Sequence, residues 1–127
     1  MTNGRILEKV TMITYNPSQI ILVKFPFSDL SSSKKRPALV LNHIQLTSDI
    51  GLVTISMITS RIDGIKLVGD YRIQKWKESG LLHPSLVRLS KIATIEQQLV
   101  EKPLGSLYNP DLSGFKRAFK KYFDFWL

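Results

Sequence analysis

The sequence contains no cysteine, so disulfide bonds and thiolate metal sites are excluded. Its two histidines, His43 and His83, have no neighbour at a spacing typical of metal ligands, and we interpret both as structural residues. No apolar run approaches the roughly 18 residues of a membrane-spanning helix, and the sequence has neither an apolar signal core nor a glycine-rich phosphate loop. We therefore expect a cytoplasmic protein that needs no metal and no cofactor.

Negative charge is scarce relative to positive charge. The 127 residues include 18 lysines and arginines but only 10 aspartates and glutamates, which gives a formal net charge of +8. This balance favours a polyanionic partner, either a nucleic acid or an acidic protein segment. Composition does not choose between the two, and a ribosome-associated or membrane-surface protein can share the same bias.

Six short segments have the apolar, β-branched composition of strands, and one helix follows them. The predicted strands are 20–27, 37–44, 51–60, 68–73, 86–94 and 100–107. The Asp63-Gly64 step predicts a hairpin turn after the third strand. Asn109, Pro110 and Asp111 have the order of a helix start, and an apolar stripe then predicts a helix over 110–126. The pattern indicates a mainly β protein, a small and strongly bent barrel with a C-terminal helix packed on it.

The length suits a single domain, which we predict to span 15–127. Residues 1–14 have weak patterning. We expect them to be a disordered lead, or the natural start to be Met12, with residues 1–11 before it.

Basic and hydroxyl side chains gather at the ends of two predicted strands. Arg36 directly precedes Pro37, which restricts Arg36 to extended geometry, and a guanidinium offers a planar fork of donors to phosphate oxygens. Thr59, Ser60 and Arg61 end the third strand, where adjacent hydroxyls are suited to bind a phosphate. Both patterns also fit ordinary surface residues at strand ends.

The fifth predicted strand has a polar face. Strand alternation places Arg88 and Ser90 on one side, with Leu89 and Lys91 on the other. Such a face either lines a groove or forms the solvated side of a half-buried strand.

Four sequence blocks occur in a specific order, ILVKFPFSDLSSSKKRPALVL, MITSRI, GDYRI and WKESGLLHPSLVRLSKIATIE. Together they resemble the MazF/PemK family of type II toxin–antitoxin toxins over residues 17–107, and the last block resembles its PemK-like branch. Two positions depart from the family pattern. Ser18-Gln19 stands where members usually begin the first strand with Gly-Asp, and Ser90 stands where several members have aspartate.

The resemblance implies an SH3-like barrel that forms a homodimer and acts as a sequence-selective endoribonuclease. Single-stranded RNA would lie in a basic groove, which the acidic tail of a cognate antitoxin would also occupy. By motif, catalytic roles fall to Arg36 and Thr59, and the loop 28–35 corresponds to a mobile loop beside the groove. The predicted RNA contacts are Lys34, Lys35, Ser60, Arg61 and Arg88.

The implied chemistry fits these residues. RNA carries its own nucleophile, the 2′-OH, so in-line attack yields a 2′,3′-cyclic phosphate and a 5′-OH end without a metal. Arg36 would stabilise the charge that develops on the phosphate, and Thr59 would donate a hydrogen bond to a phosphate oxygen. The alternative is a non-catalytic protein of the same fold that binds RNA or DNA gyrase. A ribosome-associated barrel protein is a third possibility.

Overall fold

The computed structural model describes residues 14–24 and 34–127. Residues 1–13 of the expected lead, which include Met12, residues 25–27 of the first predicted strand and residues 28–33 of the 28–35 loop lie outside the described residues.

Six strands and one α-helix follow each other along the described chain. They are β1 (Gln19–Lys24), β2 (Lys35–Gln45), β3 (Gly51–Thr59), β4 (Asp70–Arg72), β5 (Leu86–Glu96), β6 (Val100–Ser106) and α1 (Asp111–Tyr122). Each predicted strand is present, which confirms the mainly β class with a C-terminal helix. Among the described helices, none is long and apolar enough to cross a membrane.

The strands form one antiparallel sheet with the order β4-β5-β3-β2-β1-β6. The hairpin predicted at Asp63-Gly64 is wrong, because β3 and β4 do not pair with each other. Instead, both pair with the start of β5, where Leu86 lies opposite Thr59 on one side and Arg72 on the other.

Apolar side chains fill both faces of the sheet. Ile20 and Ile21 are adjacent in β1 and fully buried, yet they belong to different clusters because successive strand residues point to opposite faces. The first cluster includes Ile21, Val23, Val40, Val53 and Ile55. The second includes Ile20, Leu39, Val87, Leu89 and Phe115, and it receives the helix. Each fully buried aliphatic side chain stabilises the fold by about 1.5–3 kcal/mol.

A close backbone contact brings the two ends of the strand order together. The segment that joins β4 to β5 lies against β6, where Gly80 and Gly105 face each other. A Cβ at Gly80 would overlap the Leu104 carbonyl, and one at Gly105 would overlap the Ser79 carbonyl. Gly80 also has a φ of 91°, which favours glycine. The sheet is therefore strongly bent, as expected for a small barrel.

Asp111 anchors the start of α1. Its buried carboxylate accepts hydrogen bonds from the Tyr71 hydroxyl and from the backbone N–H groups of Gln74 and Lys75, each at 2.8 Å. Burial of the phenol and its hydrogen bond to Asp111 raise the pKa of Tyr71 to about 12. The helix is thereby joined to the segment that follows β4.

The helix is shorter than the predicted 110–126. It ends at Tyr122, and Phe123 leaves helical geometry with φ −99° and ψ 20° before a separate 3₁₀ turn over Asp124–Trp126. The apolar stripe packs on the second cluster only as far as Phe123. Beyond it, Phe125 is 99% exposed and Trp126 is 88% exposed, so no core contact extends the helix.

Candidate active site

A groove with a volume of about 490 Å³ lies at one end of the sheet. It is bordered by the start of β2, the end of β3, β6 and the connection between β4 and β5. Four of the seven predicted site residues line it, namely Lys35, Arg36, Thr59 and Ser60. The other three do not line it, namely Lys34, Arg61 and Arg88.

Antiparallel pairing explains why Arg36 and Thr59 share the groove. Ala38 of β2 pairs with Met57 of β3. Two residues further toward the same end of the sheet, β2 reaches Arg36 and β3 reaches Thr59. On its other side, Arg36 pairs with Val23 of β1. Three strands therefore hold the backbone beneath the guanidinium.

Arg36 and Thr59 differ in how their polar groups are engaged. The Thr59 hydroxyl oxygen accepts a hydrogen bond from the backbone N–H of Arg61 at 3.1 Å, which leaves its O–H free to donate. Arg36 is half-buried. Within residues 14–24 and 34–127, the ion pairs join Lys24 and Lys35 to Glu101, Lys75 to Glu78, and Arg88 to Asp70, so Arg36 takes part in none of these.

Lys35 shares a carboxylate with a neighbouring lysine. Its Nζ lies 2.9 Å from Glu101 Oε1, and the Nζ of Lys24 lies 3.7 Å from Glu101 Oε2. The hydrogen bond and charge of Lys35 hold the pKa of Glu101 below its usual value. At neutral pH, Glu101 therefore offsets part of the positive charge at this edge of the groove.

Arg88 lies apart from the groove and is engaged by Asp70. Its guanidinium donates two hydrogen bonds to that carboxylate, and its Nη2 also donates to the Ile65 carbonyl at 3.3 Å. Burial acts to raise the pKa of Asp70, but the hydrogen bonds from Arg88 and Leu67 outweigh it and hold the pKa below the ordinary value.

Two charged or titratable side chains in the groove were not predicted. Lys102 belongs to β6, and His83, interpreted above as structural, lies in the connection between β4 and β5. Strand pairing places Lys102 near the start of β2, because Leu22 of β1 pairs with Lys102 on one side and with Pro37 on the other. The close approach of the connection to β6 brings His83 to the same end of the sheet. Among the described residues, no group of three or more histidine, aspartate or glutamate side chains is arranged to hold a metal ion.

A family model described as PemK-like, MazF-like toxin of type II toxin–antitoxin system matches residues 16–123. The chain belongs to this family of toxins. The resemblance stated from the sequence blocks is thereby confirmed. A search of curated proteins finds no match.

Solved structures of MazF toxins share the fold. The Mycobacterium tuberculosis toxin MazF-mt6 is 23% identical, with a TM-score of 0.63 over 84% of this chain and 96% of that chain. An endoribonuclease in complex with its cognate antitoxin from Mycobacterial species is 10% identical, with a TM-score of 0.63 over 87% and 96%. MazF from Deinococcus radiodurans is 14% identical, with a TM-score of 0.61 over 88% and 98%.

The first departure from the MazF/PemK pattern lies away from the groove. Ser18 has a φ of 78°, a left-handed conformation that glycine adopts at less cost. Its N–H donates to the Val40 carbonyl and its carbonyl accepts from Leu107. The Gln19 side chain accepts from the Asn16 N–H at 3.1 Å, so the turn keeps a side-chain acceptor. Ser18-Gln19 therefore preserves the turn before β1.

The second departure lies in a bulge of β5. Met57 pairs with Arg88 and Ser56 pairs with Ile92, so the three residues between Arg88 and Ile92 have no partner in β3. The Ser56 hydroxyl donates to the Arg88 carbonyl at 2.8 Å at this irregularity. Burial alternates as far as Ser90, because Leu89 is buried between the half-buried Arg88 and the exposed Ser90, but Lys91 is exposed as well and does not share the buried face of Leu89. Ser90 does not line the groove.

Proposed function

We propose that this MazF/PemK-family toxin is an endoribonuclease that cuts single-stranded RNA without a metal and leaves 2′,3′-cyclic phosphate and 5′-OH ends. One observation carries the proposal: the half-buried Arg36 and Thr59, whose hydroxyl oxygen accepts from Arg61 and leaves the O–H to donate, line the same open groove. Phosphate oxygens accept hydrogen bonds from both kinds of group.

Each groove residue has a role in the proposed reaction. As the 2′-oxygen attacks, negative charge grows on the non-bridging phosphate oxygens. Arg36 donates to these oxygens and carries a permanent positive charge, while Thr59 donates one further hydrogen bond. Lys35 of β2 and Lys102 of β6 line the same groove and attract the RNA backbone.

The same groove suits two further partners of the proposed function. An acidic, extended antitoxin tail would compete with RNA for Lys35, Arg36 and Lys102. One structure with this fold was solved as an endoribonuclease in complex with its cognate antitoxin, which supports such a partner. We further propose that the toxin acts as a homodimer in the cytoplasm.

The test is cleavage of a long, mixed-sequence single-stranded RNA in EDTA by the wild type, Arg36→Ala and Arg72→Ala, with the new ends mapped. Arg72 is an exposed arginine of β4 that does not line the groove, so it serves as the matched control. We expect discrete cuts with 5′-OH ends. Arg36→Ala should lower the rate about 100- to 1000-fold, the usual cost of losing one transition-state donor.

Other outcomes separate the alternatives. RNA that stays intact with folded, antitoxin-free wild type, but binds to it, would replace the enzyme with the non-catalytic RNA-binding protein. Intact RNA without binding would direct the next assay to inhibition of DNA gyrase. Cuts that persist unchanged in Arg36→Ala would indicate a contaminating nuclease or a different active site.

A further inference from the structure

The groove is rich in proton donors and poor in proton acceptors. Lys35, Arg36 and Lys102 line it, and the side chains of lysine and arginine donate hydrogen bonds and accept none. Apart from His83, the other described polar side chains that line it are the hydroxyls of Thr59, Ser60 and Ser85, which are not bases. Among the described lining residues there is no carboxylate. Attack by the 2′-OH nevertheless requires that its proton be accepted.

His83 is the described lining residue whose side-chain type can accept a proton near neutral pH. It is exposed, so its imidazole is open to a bound RNA. Cationic residues from two other elements line the same groove, Lys35 and Arg36 from β2 and Lys102 from β6. The carboxylate of Glu101, the residue before Lys102, does not line the groove and is paired with Lys35 and Lys24.

The segment around His83 is held in place at both ends. On one side, the Leu81 N–H donates to the Trp76 carbonyl at 3.0 Å. On the other, the Ser85 hydroxyl donates to the His83 carbonyl at 2.8 Å, and the Ile73 N–H donates to the Ser85 carbonyl at 3.0 Å. Pro84 follows His83 and restricts it to extended geometry. This loop therefore presents the imidazole from a fixed backbone.

We infer that His83 is the general base of RNA cleavage in this toxin, a role that rests on the proposed function. A ring nitrogen takes the proton of the 2′-OH as the bond from the 2′-oxygen to phosphorus forms. The bond from phosphorus to the 5′-oxygen breaks, and the 5′-oxygen takes a proton from solvent. The imidazolium then returns its proton to solvent, which restores the groove. Arg36 stabilises charge throughout and transfers no proton.

The experiment compares wild type, His83→Gln and His83→Ala in single-turnover cleavage of an RNA oligonucleotide that contains a mapped cut site, from pH 5.5 to 8. We expect the wild-type rate to rise with pH over the range in which histidines lose their proton. His83→Gln should be about 100-fold slower, within the range of lost general base catalysis, and its dependence on pH should be flat or much weaker. Added imidazole should restore part of the rate of His83→Ala.

Binding and folding are measured beside the rates. Affinity for the same oligonucleotide with 2′-deoxyribose at the cut site should change less than twofold in His83→Gln, because a base acts on the reaction and not on binding. His43→Gln, at the other histidine and outside the groove lining, is the control. Thermal unfolding of all variants confirms that each is folded.

Several results would overturn the inference. If His83→Gln keeps the wild-type rate and pH profile, His83 is not the general base, although the proposed endoribonuclease activity is still supported. A loss confined to affinity makes His83 a binding residue instead. A wild type that does not cleave overturns the proposed function itself and, with it, this role.

Discussion

Arg88 of β5 and Asp70 of β4 form a two-point ion pair, in which Nε donates to Oδ1 and Nη2 donates to Oδ2, both at 3.0 Å. The side chains are only 18% and 8% exposed. Asp70 and Arg88 also lie opposite each other in the strand ladder. Because β4 has three residues, this pair adds a side-chain connection to a short strand ladder.

The first prediction is that Arg88 contributes to stability more than to RNA binding. Asp70→Asn and Arg88→Gln should each lower the free energy of unfolding by about 2 kcal/mol, since each leaves a charge with little access to water unpaired. The double variant should lose less unfolding free energy than the two single variants lose together, because the second change removes the charge that the first left unpaired. Urea unfolding measures all three, with the exposed Asp63→Asn as control.

An Arg88→Gln variant of unchanged stability that binds RNA more weakly would instead place Arg88 in the RNA site. Affinity for an uncleavable RNA, measured beside the urea curves, separates the two roles.

The second prediction concerns acid. The folded protein holds the pKa of Asp70 below its ordinary value of 3.8. As the pH falls, Asp70 therefore takes up its proton in the unfolded state before it does so in the folded state. The stabilisation that the charged Asp70 gives to the fold is present above about pH 4 and is lost progressively below it. The difference in unfolding free energy between wild type and Asp70→Asn should shrink from pH 7 to pH 3. A difference that stays constant over this range would show that the charge of Asp70 is not its source.

Local patterns predicted the strands, but not the strand order. Asp63 and Gly64 have the composition of a turn, and the structure does contain a bend there. That bend does not return the chain onto β3, because β5 takes the position beside it and pairs with both β3 and β4. Turn composition is a local property, whereas the choice of strand partner depends on burial across the whole sheet.

The sequence predicted those site residues that lie in blocks resembling the MazF/PemK family. Arg36 and Thr59 were assigned by resemblance, and pairing of β2 with β3 explains their proximity. Lys102 and His83 come from distant segments with no local signal of function. A clue was available in Gly80 and Gly105, since glycine in or beside a strand can mark a close backbone approach. Which two glycines meet could not be known before the fold.

The third prediction is that Ser18→Gly stabilises the protein. Ser18 has a φ of 78°, a conformation that costs a non-glycine residue roughly 1–2 kcal/mol and that glycine adopts without this strain. Glycine also increases the conformational entropy of the unfolded chain, which offsets part of the stabilisation. The net gain in unfolding free energy should be about 0.5–1 kcal/mol. RNA cleavage should be unchanged, because position 18 does not line the groove. Ser48→Gly, at an exposed bend without a positive φ, should show no gain.

A Ser18→Gly variant that is less stable than wild type would mean that the serine side chain supplies a contact worth more than the backbone strain. Thermal unfolding of the two glycine variants side by side decides this.

The fourth prediction is that Glu101 weakens RNA binding and that its removal strengthens it. Its carboxylate lies 2.9 Å from Lys35 and 3.7 Å from Lys24, so it competes with phosphates for both lysines. Glu101→Gln should increase affinity for an uncleavable single-stranded RNA several-fold at low salt. If one more phosphate is then neutralised, the slope of log affinity against log salt should steepen by about 0.7.

The matched control is Glu78→Gln, which makes the same change in net charge and also removes a carboxylate paired with a lysine. Glu78 lies 3.9 Å from Lys75 and does not line the groove. If binding follows net charge alone, both variants will gain affinity equally and the position of Glu101 will have no special role. If binding depends on the groove, only Glu101→Gln will gain, because only that change frees a lysine beside Arg36.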